Sequence, residues 1–250
     1  MGVFVEGHRG YCSRFPENTL ISFRAAMELG VDGYEFDIWL SKDKVPVLMH
    51  DGNALRTCGV NRRLSDMTLD EIQQLDAGYA AKFGDKFTGK GIRVPTLRQL
   101  CELTHKLRPD IALGVEIKEY TEETVDLSVD LLKSFGLFDR AFFYAFDLPT
   151  IRYLKMEYKA RTMGYPDFQM GRWEEGGYRF YDDIGLNMAL VRSEIFDFYA
   201  AKQLPMHLYC ADNTEDVRLC LRRGASLITA NDPVPLMNEI GRVPGKLTVE

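Results

Sequence analysis

Apolar and polar positions along the chain fall into two alternating periods. Short runs rich in β-branched and aromatic residues occur at Val3–Glu6, Tyr34–Leu40, Ile111–Ile117, Ala141–Ala145 and Arg161–Gly164. The series continues at Leu186–Val191, Met206–Cys210 and Ser226–Thr229. Such runs predict strands. Between them the period changes. Asn18–Leu29 carries Leu20, Phe23, Ala26 and Met27 on one helical stripe, and Gly30 follows as a C′ residue. The same period predicts helices over Leu97–Leu107, Glu122–Phe135, Thr150–Tyr158, Ser193–Lys202 and Glu215–Arg223. About eight strands with helices between them are the rhythm of the α/β class, a (β/α)8 TIM barrel.

Two segments break that rhythm. Asp51–Pro95 is too long for a βα loop and contains its own helix-like stretch, LSDMTLDEIQQL. It reads as a small inserted subdomain after the second strand, within a single domain spanning 1–250. Pro166–Asp183 is rich in glycine and aromatics and is a poor helix. It reads as a degenerate fifth helix or a lid.

Composition narrows the partners. The 250 residues include 46% hydrophobic and 27% charged residues, an ordinary globular balance. A net charge of −6 with no basic run argues against nucleic acid. No stretch approaches a membrane span, so no stable membrane association is expected. MGVFVEGHRG shows no signal-peptide pattern. The five cysteines, at 12, 58, 101, 210 and 220, have no CxxC spacing, and together these features predict reduced thiols in a cytoplasmic protein. Oligomeric state is not legible.

Candidate chemistry sits at strand ends. In a barrel these face the active site. His8 and Arg9 follow the first strand, although an ordinary loop histidine would read the same in isolation. On the second strand Glu35 and Asp37 share a face, about 7 Å apart, while Phe36 and Ile38 point the other way. A solvated edge strand would not carry those apolar partners. Two inward carboxylates need protons, cations or a metal to offset their repulsion and desolvation. On the next barrel strand Glu116 and Lys118 share a face. They form either a simple buried ion pair or part of the same cluster. Three carboxylates suit Mg²⁺ or Ca²⁺ better than Zn²⁺. Val45–Asp51 ends a short strand in a His50–Asp51 pair, giving two imidazoles that could act as an acid/base pair. His105 is expected to be exposed, and His207 to pack within the barrel.

Together, HRG (8–10), PENT (16–19), G-x-D-x-x-E-x-D (30–37), PVLMHD (46–51), VPTL (94–97) and VEIK (115–118) resemble the glycerophosphodiester phosphodiesterases. The resemblance covers nearly the whole chain and is strongest over residues 1–118. It implies a TIM barrel with an insert after the second strand and a divalent metal, Mg²⁺ or Ca²⁺, on Glu35, Asp37 and Glu116. It implies His8 and His50 as general acid and base, and Arg9 and Lys118 on the substrate phosphate. The implied reaction splits a small-molecule glycerophosphodiester into sn-glycerol 3-phosphate and an alcohol. Attack by the glycerol 2-hydroxyl and attack by water both stay open, as does the headgroup.

Three stretches depart from the family pattern: Ala145-Phe146, Tyr209-Cys210-Ala211-Asp212 and Thr229 to Pro233. They are expected to shape the substrate pocket, with Tyr209 as an aromatic wall, and to leave the metal and histidines untouched. Two other functions would use the same residues. One is a phospholipase D-like lyase acting on sphingomyelin or lysophospholipid. The other is a non-catalytic phosphate-binding barrel.

Overall fold

In the computed structural model, which describes residues 2–249, eight strands run parallel and close on themselves. They are β1 (Phe4–Gly7), β2 (Gly33–Leu40), β4 (Ala112–Ile117), β5 (Ala141–Tyr144), β6 (Arg161–Gly164), β7 (Asp183–Asn187), β8 (Met206–Tyr209) and β9 (Leu227–Ala230). Closure is made by β1, which pairs with both β9 and β2. A ninth strand, β3 (Pro46–Leu48), folds back antiparallel on the upper half of β2 and pairs Ile38 with Leu48.

Alternation along the strands divides the molecule into two cores. Tyr34, Phe36 and Ile38 of β2 and Val115 and Ile117 of β4 face the helical layer and are fully buried. Phe23, on the helix Leu20–Leu29, packs at 5.0 Å from Tyr34 and edge-on to Phe36 at 6.1 Å. Each such side chain contributes about 1.5–3 kcal/mol of burial. The other face lines the barrel, where small residues alternate with polar ones. At Gly114 a Cβ would lie 2.5 Å from Glu6 Oε1 and 2.6 Å from the Tyr144 hydroxyl, so any side chain there must displace that hydrogen-bonded pair.

Local signals set the helix starts. Thr96 and Gln99 form a reciprocal capping box at the head of Leu97–Leu107, and Asp147 accepts from Thr150 N at the head of Leu148–Tyr158.

Between β3 and Thr96 the chain leaves the barrel and returns beside its exit, with Leu48 N donating to Pro95 O at 2.9 Å. The excursion has its own small core of Met49, Ala54, Leu64, Met67, Ile72, Leu75 and Val94. The helix-like LSDMTLDEIQQL forms only a 3-10 turn at Leu64–Asp66 and one α-turn at Leu69–Ile72, started by the Thr68–Glu71 capping box.

Two expectations shift. β7 ends at Asn187, and Met188–Val191 is already helical because the Asn187 side chain caps Leu190 N. Residues 166–183 form two 3-10 turns, Asp167–Gln169 and Gly177–Phe180, instead of a fifth helix. That segment is packed against the barrel. Arg172 pairs with Asp147 at 2.6 Å, and Trp173 lies edge-on to Tyr178 at 4.7 Å.

Candidate active site

The β1 loop turns sharply to bring its side chains over the barrel mouth. His8 N still pairs with Ala230 O, extending β1 by one residue. Arg9 and Gly10 then take positive φ values of 49° and 86°. A side chain at Gly10 would meet Ser22 Oγ at 2.5 Å, while Ser22 Oγ holds both Arg9 O and Tyr11 N. The glycine of HRG is thus required by a close crossing of the helix Leu20–Leu29.

Glu35, Asp37 and Glu116 converge as the alternation predicts. β2 and β4 pair in register, with Asp37 opposite Glu116. All three are buried, and each offers one oxygen within 4.8 Å of the others. Glu35 Oε2 accepts from Arg9 N at 2.9 Å, and Asp37 Oδ2 from Asn18 Nδ2 at 2.7 Å. Lys118 Nζ donates to Glu116 Oε1 at 2.8 Å and lies 3.5 Å from Asp37 Oδ1. Glu35 Oε1 and Asp37 Oδ1 are buried and find no hydrogen-bond donor among the described residues. Unpartnered buried carboxylate oxygens are costly. They are also what a hard divalent cation binds, so the donor set fits Mg²⁺ or Ca²⁺.

The electrostatics agree with that fit. Burial and the Asp37 charge push the Glu35 carboxyl well above its ordinary range. Burial drives Glu116 up to about 7 against the pull of Lys118, with Asp37 adding to the rise. Asp37 is equally buried, yet Arg9, Lys118 and His50 outweigh burial and hold it well below the usual carboxylate range. A bound cation would reverse the upward pull on the two glutamates.

The two histidines flank this cluster from different elements. His8 Nε2 lies 3.9 Å from Glu35 Oε2, and its Nδ1 lies 2.6 Å from Asn231 Oδ1. Burial, then the Arg9 charge, lower its pKa to about 4. His50 Nδ1 lies 2.6 Å from Asp51 Oδ1, and burial lowers its pKa as well. His8, Arg9, Glu35, His50, Glu116, Lys118 and Tyr209 line one cavity of about 290 Å³, and Asp37 is buried between Arg9 and Lys118. Every candidate residue is therefore brought together. Tyr209 stands edge-on to Tyr165 at 5.9 Å, and Tyr165 stacks on Phe146 at 3.6 Å. A larger groove of about 590 Å³ lies outside the barrel between Val45 and Leu131 and contains none of these residues.

Several participants were not singled out from sequence. Glu17 of PENT holds Arg9 at 2.9 Å and is itself gripped by Arg56 from the excursion. Glu6, fully buried beneath the cluster, accepts from the Tyr144 hydroxyl at 2.8 Å and the Thr229 hydroxyl at 2.7 Å, and lies 3.1 Å from His207 Nε2. One expectation is corrected: the departures from the family pattern do reach a histidine. Asn231 bonds His8, and Cys210 Sγ lies 3.5 Å from His8 Nδ1. These contacts cross the closure of the barrel, so spacing along the chain gave no sign of them. His105 is exposed.

Comparison with known proteins decides the family. The model of the glycerophosphoryl diester phosphodiesterase family matches residues 8–234. The chain belongs to that family. It is an enzyme of the phosphodiesterase class. A glycerophosphodiester phosphodiesterase from Caldanaerobacter subterraneus is 30% identical, the match covering 95% of this chain and 98% of the relative. Two solved structures share the fold. A putative glycerophosphoryl diester phosphodiesterase from Silicibacter pomeroyi superposes with a TM-score of 0.82 at 22% identity, covering 95% of this chain and 93% of that one. A phosphodiesterase from Oleispira antarctica, solved with its product sn-glycerol-3-phosphate, gives 0.81 at 24% identity over 95% and 96% of the two chains.

Proposed function

We propose that the protein hydrolyses glycerophosphodiesters to sn-glycerol 3-phosphate and an alcohol, with a divalent metal held by Glu35, Asp37 and Glu116. The observation that carries this reading is the buried three-carboxylate cluster, with two oxygens that accept no hydrogen bond, flanked by two imidazoles in one cavity. When bound, Mg²⁺ or Ca²⁺ supplies positive charge for the phosphate oxygens. Arg9 and Lys118 add fixed cations that favour the more highly charged transition state over the ground state.

His8 and His50 act as the acid/base pair. Each has Nδ1 tied to a side-chain oxygen, which leaves Nε2 free for chemistry. One imidazole accepts the proton of the attacking group, which is water or the glycerol 2-hydroxyl; in the second case water then opens the cyclic phosphate to give glycerol 3-phosphate. The other delivers a proton to the departing alkoxide, so the alcohol leaves neutral. Phe146, Tyr165 and Tyr209 supply an apolar wall that excludes water from one side of the cavity.

We read the chain as one barrel domain with 51–95 as its insert. Among the described residues, no helix is long and apolar enough to cross a membrane, and all five cysteines are free. Free thiols support a reducing compartment such as the cytoplasm.

The test is release of glycerol 3-phosphate from a panel of glycerophosphodiesters with Mg²⁺, Ca²⁺ or EDTA, beside E35A. Metal-dependent release that E35A abolishes is the expected result. No release from any diester under any metal would overturn the proposal.

A further inference from the structure

Asn231 follows β9 and approaches His8 from the side away from the carboxylates. Its Nδ2 donates to Asp212 Oδ2 at 2.6 Å, and its backbone nitrogen donates to Asp212 Oδ1 at 2.6 Å. The backbone nitrogen of Asp232 reaches the same Oδ1 at 3.2 Å. A carboxylate only accepts, so the Asn231 amide must turn its NH₂ towards Asp212. Its carbonyl oxygen then points the opposite way. There Oδ1 lies 2.6 Å from His8 Nδ1 and accepts from Cys12 Sγ at 2.9 Å.

A carbonyl oxygen cannot donate. A neutral imidazole meeting one across a hydrogen bond therefore carries its proton on the facing nitrogen. For His8 that nitrogen is Nδ1, and the lone pair is left on Nε2. Nε2 is the atom that faces Glu35 and the cavity.

We propose that Asp212 and Asn231 are a positioning pair that locks His8 in the Nδ1–H tautomer, presenting an unprotonated Nε2 to the substrate. A bare Nε2 equips His8 to accept a proton, as its part in the acid/base pair requires. The inference rests on the acid/base reading of His8 given above, and it adds two residues to which that reading assigns no role. Asp212 fixes the amide, the amide fixes the ring, and neither touches the reacting atoms. Second-layer groups of this kind are worth about 10–100-fold in activity.

The experiment reads the tautomer directly. Protein labelled with ¹⁵N-histidine and loaded with Mg²⁺ is examined by two-bond ¹H–¹⁵N correlation, with the His8 signals identified by their loss in H8Q. The wild type should show a protonated Nδ1 and an unprotonated Nε2. N231A and D212N should each shift the ring towards Nε2–H and lower kcat by about tenfold or more, with KM little changed. The exchanged pair N231D/D212N restores an acceptor held by a donor and should regain both the Nδ1–H form and turnover relative to N231A. Circular dichroism checks that each variant folds. An Nε2–H ring in the wild type, or a tautomer unchanged in both N231A and D212N, would overturn the proposal. An Nδ1–H ring in a protein that turns over no diester would keep the lock and remove the hydrolase reading instead.

Discussion

Arg56 and Glu17 form a two-pronged ion pair, with Nη1 donating to Oε2 at 2.8 Å and Nη2 to Oε1 at 2.7 Å. One partner comes from the excursion outside the barrel and the other from the β1 loop. Arg56 Nε also donates to Asp51 Oδ2 at 2.6 Å, and Asp51 holds His50. Glu17 in turn holds Arg9. A single guanidinium thus sets the posture of both His50 and Arg9. R56A should lower kcat by about 10–100-fold. Leaving Glu17 and Asp51 short of partners should also cost about 1–3 kcal/mol, measured by chemical denaturation. R56K should recover little, because a point-charge ammonium cannot make the fork.

Either H8A or H50A should remove a proton-transfer partner and reduce kcat by about 10²–10⁴-fold. Melting temperature and Mg²⁺ affinity should stay near the wild-type values. Near-normal turnover in either variant would remove that residue from the acid/base pair.

If Glu35, Asp37 and Glu116 hold a metal as proposed, Mg²⁺ or Ca²⁺ should raise the melting temperature, because only the folded state assembles that cluster. Titration calorimetry should show one site. E35Q should abolish both the heat of binding and the thermal shift, and EDTA should return the wild type to its metal-free melting point.

Gly114 and Glu6 test the layer beneath the cluster. G114A places a methyl group against the Glu6–Tyr144 hydrogen bond and should destabilise the fold by about 1–3 kcal/mol. Y144F removes the donor to Glu6 while leaving the space unchanged, and should cost about 1–2 kcal/mol. Denaturant midpoints measure both losses, and a wild-type midpoint in either variant would contradict the contact it tests.

Glu17 gives a pH dependence. Burial acts to raise its pKa, but Arg56 and Arg9 outweigh burial and hold it below the ordinary value of 4.5. A depressed folded-state pKa means the unfolded chain binds the proton first. Its stabilising contribution is then complete above the ordinary value and is lost as pH falls through the folded-state pKa. E17Q should be less stable than wild type at neutral pH, with the gap narrowing below about pH 4. A gap that stays constant to pH 3 would rule out this linkage.

What the sequence makes legible is whatever alternation and local signals encode. Glu35, Asp37 and Glu116 stand between apolar neighbours on buried strands, and Lys118 follows one residue past β4, so their shared facing can be read two residues at a time. Helix starts such as Thr96 and Asp147 are equally local. Glu6 was not legible, because a glutamate closing a Val-Phe-Val run looks like a solvated strand end until barrel closure places Tyr144 and Thr229 around it. Arg56 was hidden for a similar reason: its partner lies 39 residues away across an irregular segment. The missing fifth helix between β6 and β7 follows from glycines and aromatics that pack as turns, where tertiary contacts with Asp147 and Leu148 decide the path.

The contact between His8 and Asn231 joins positions 223 residues apart, near the two ends of the chain. Their strands β1 and β9 are also the seam at which the barrel closes. A growing polypeptide therefore carries Glu35, Asp37, Glu116 and both imidazoles long before β9 is made and can dock beside β1. On the proposed tautomer lock, His8 is oriented only once β9 has docked. On that reading, alignment of the site waits on the non-local pairing of β1 with β9, the kind of contact that forms slowly in folding.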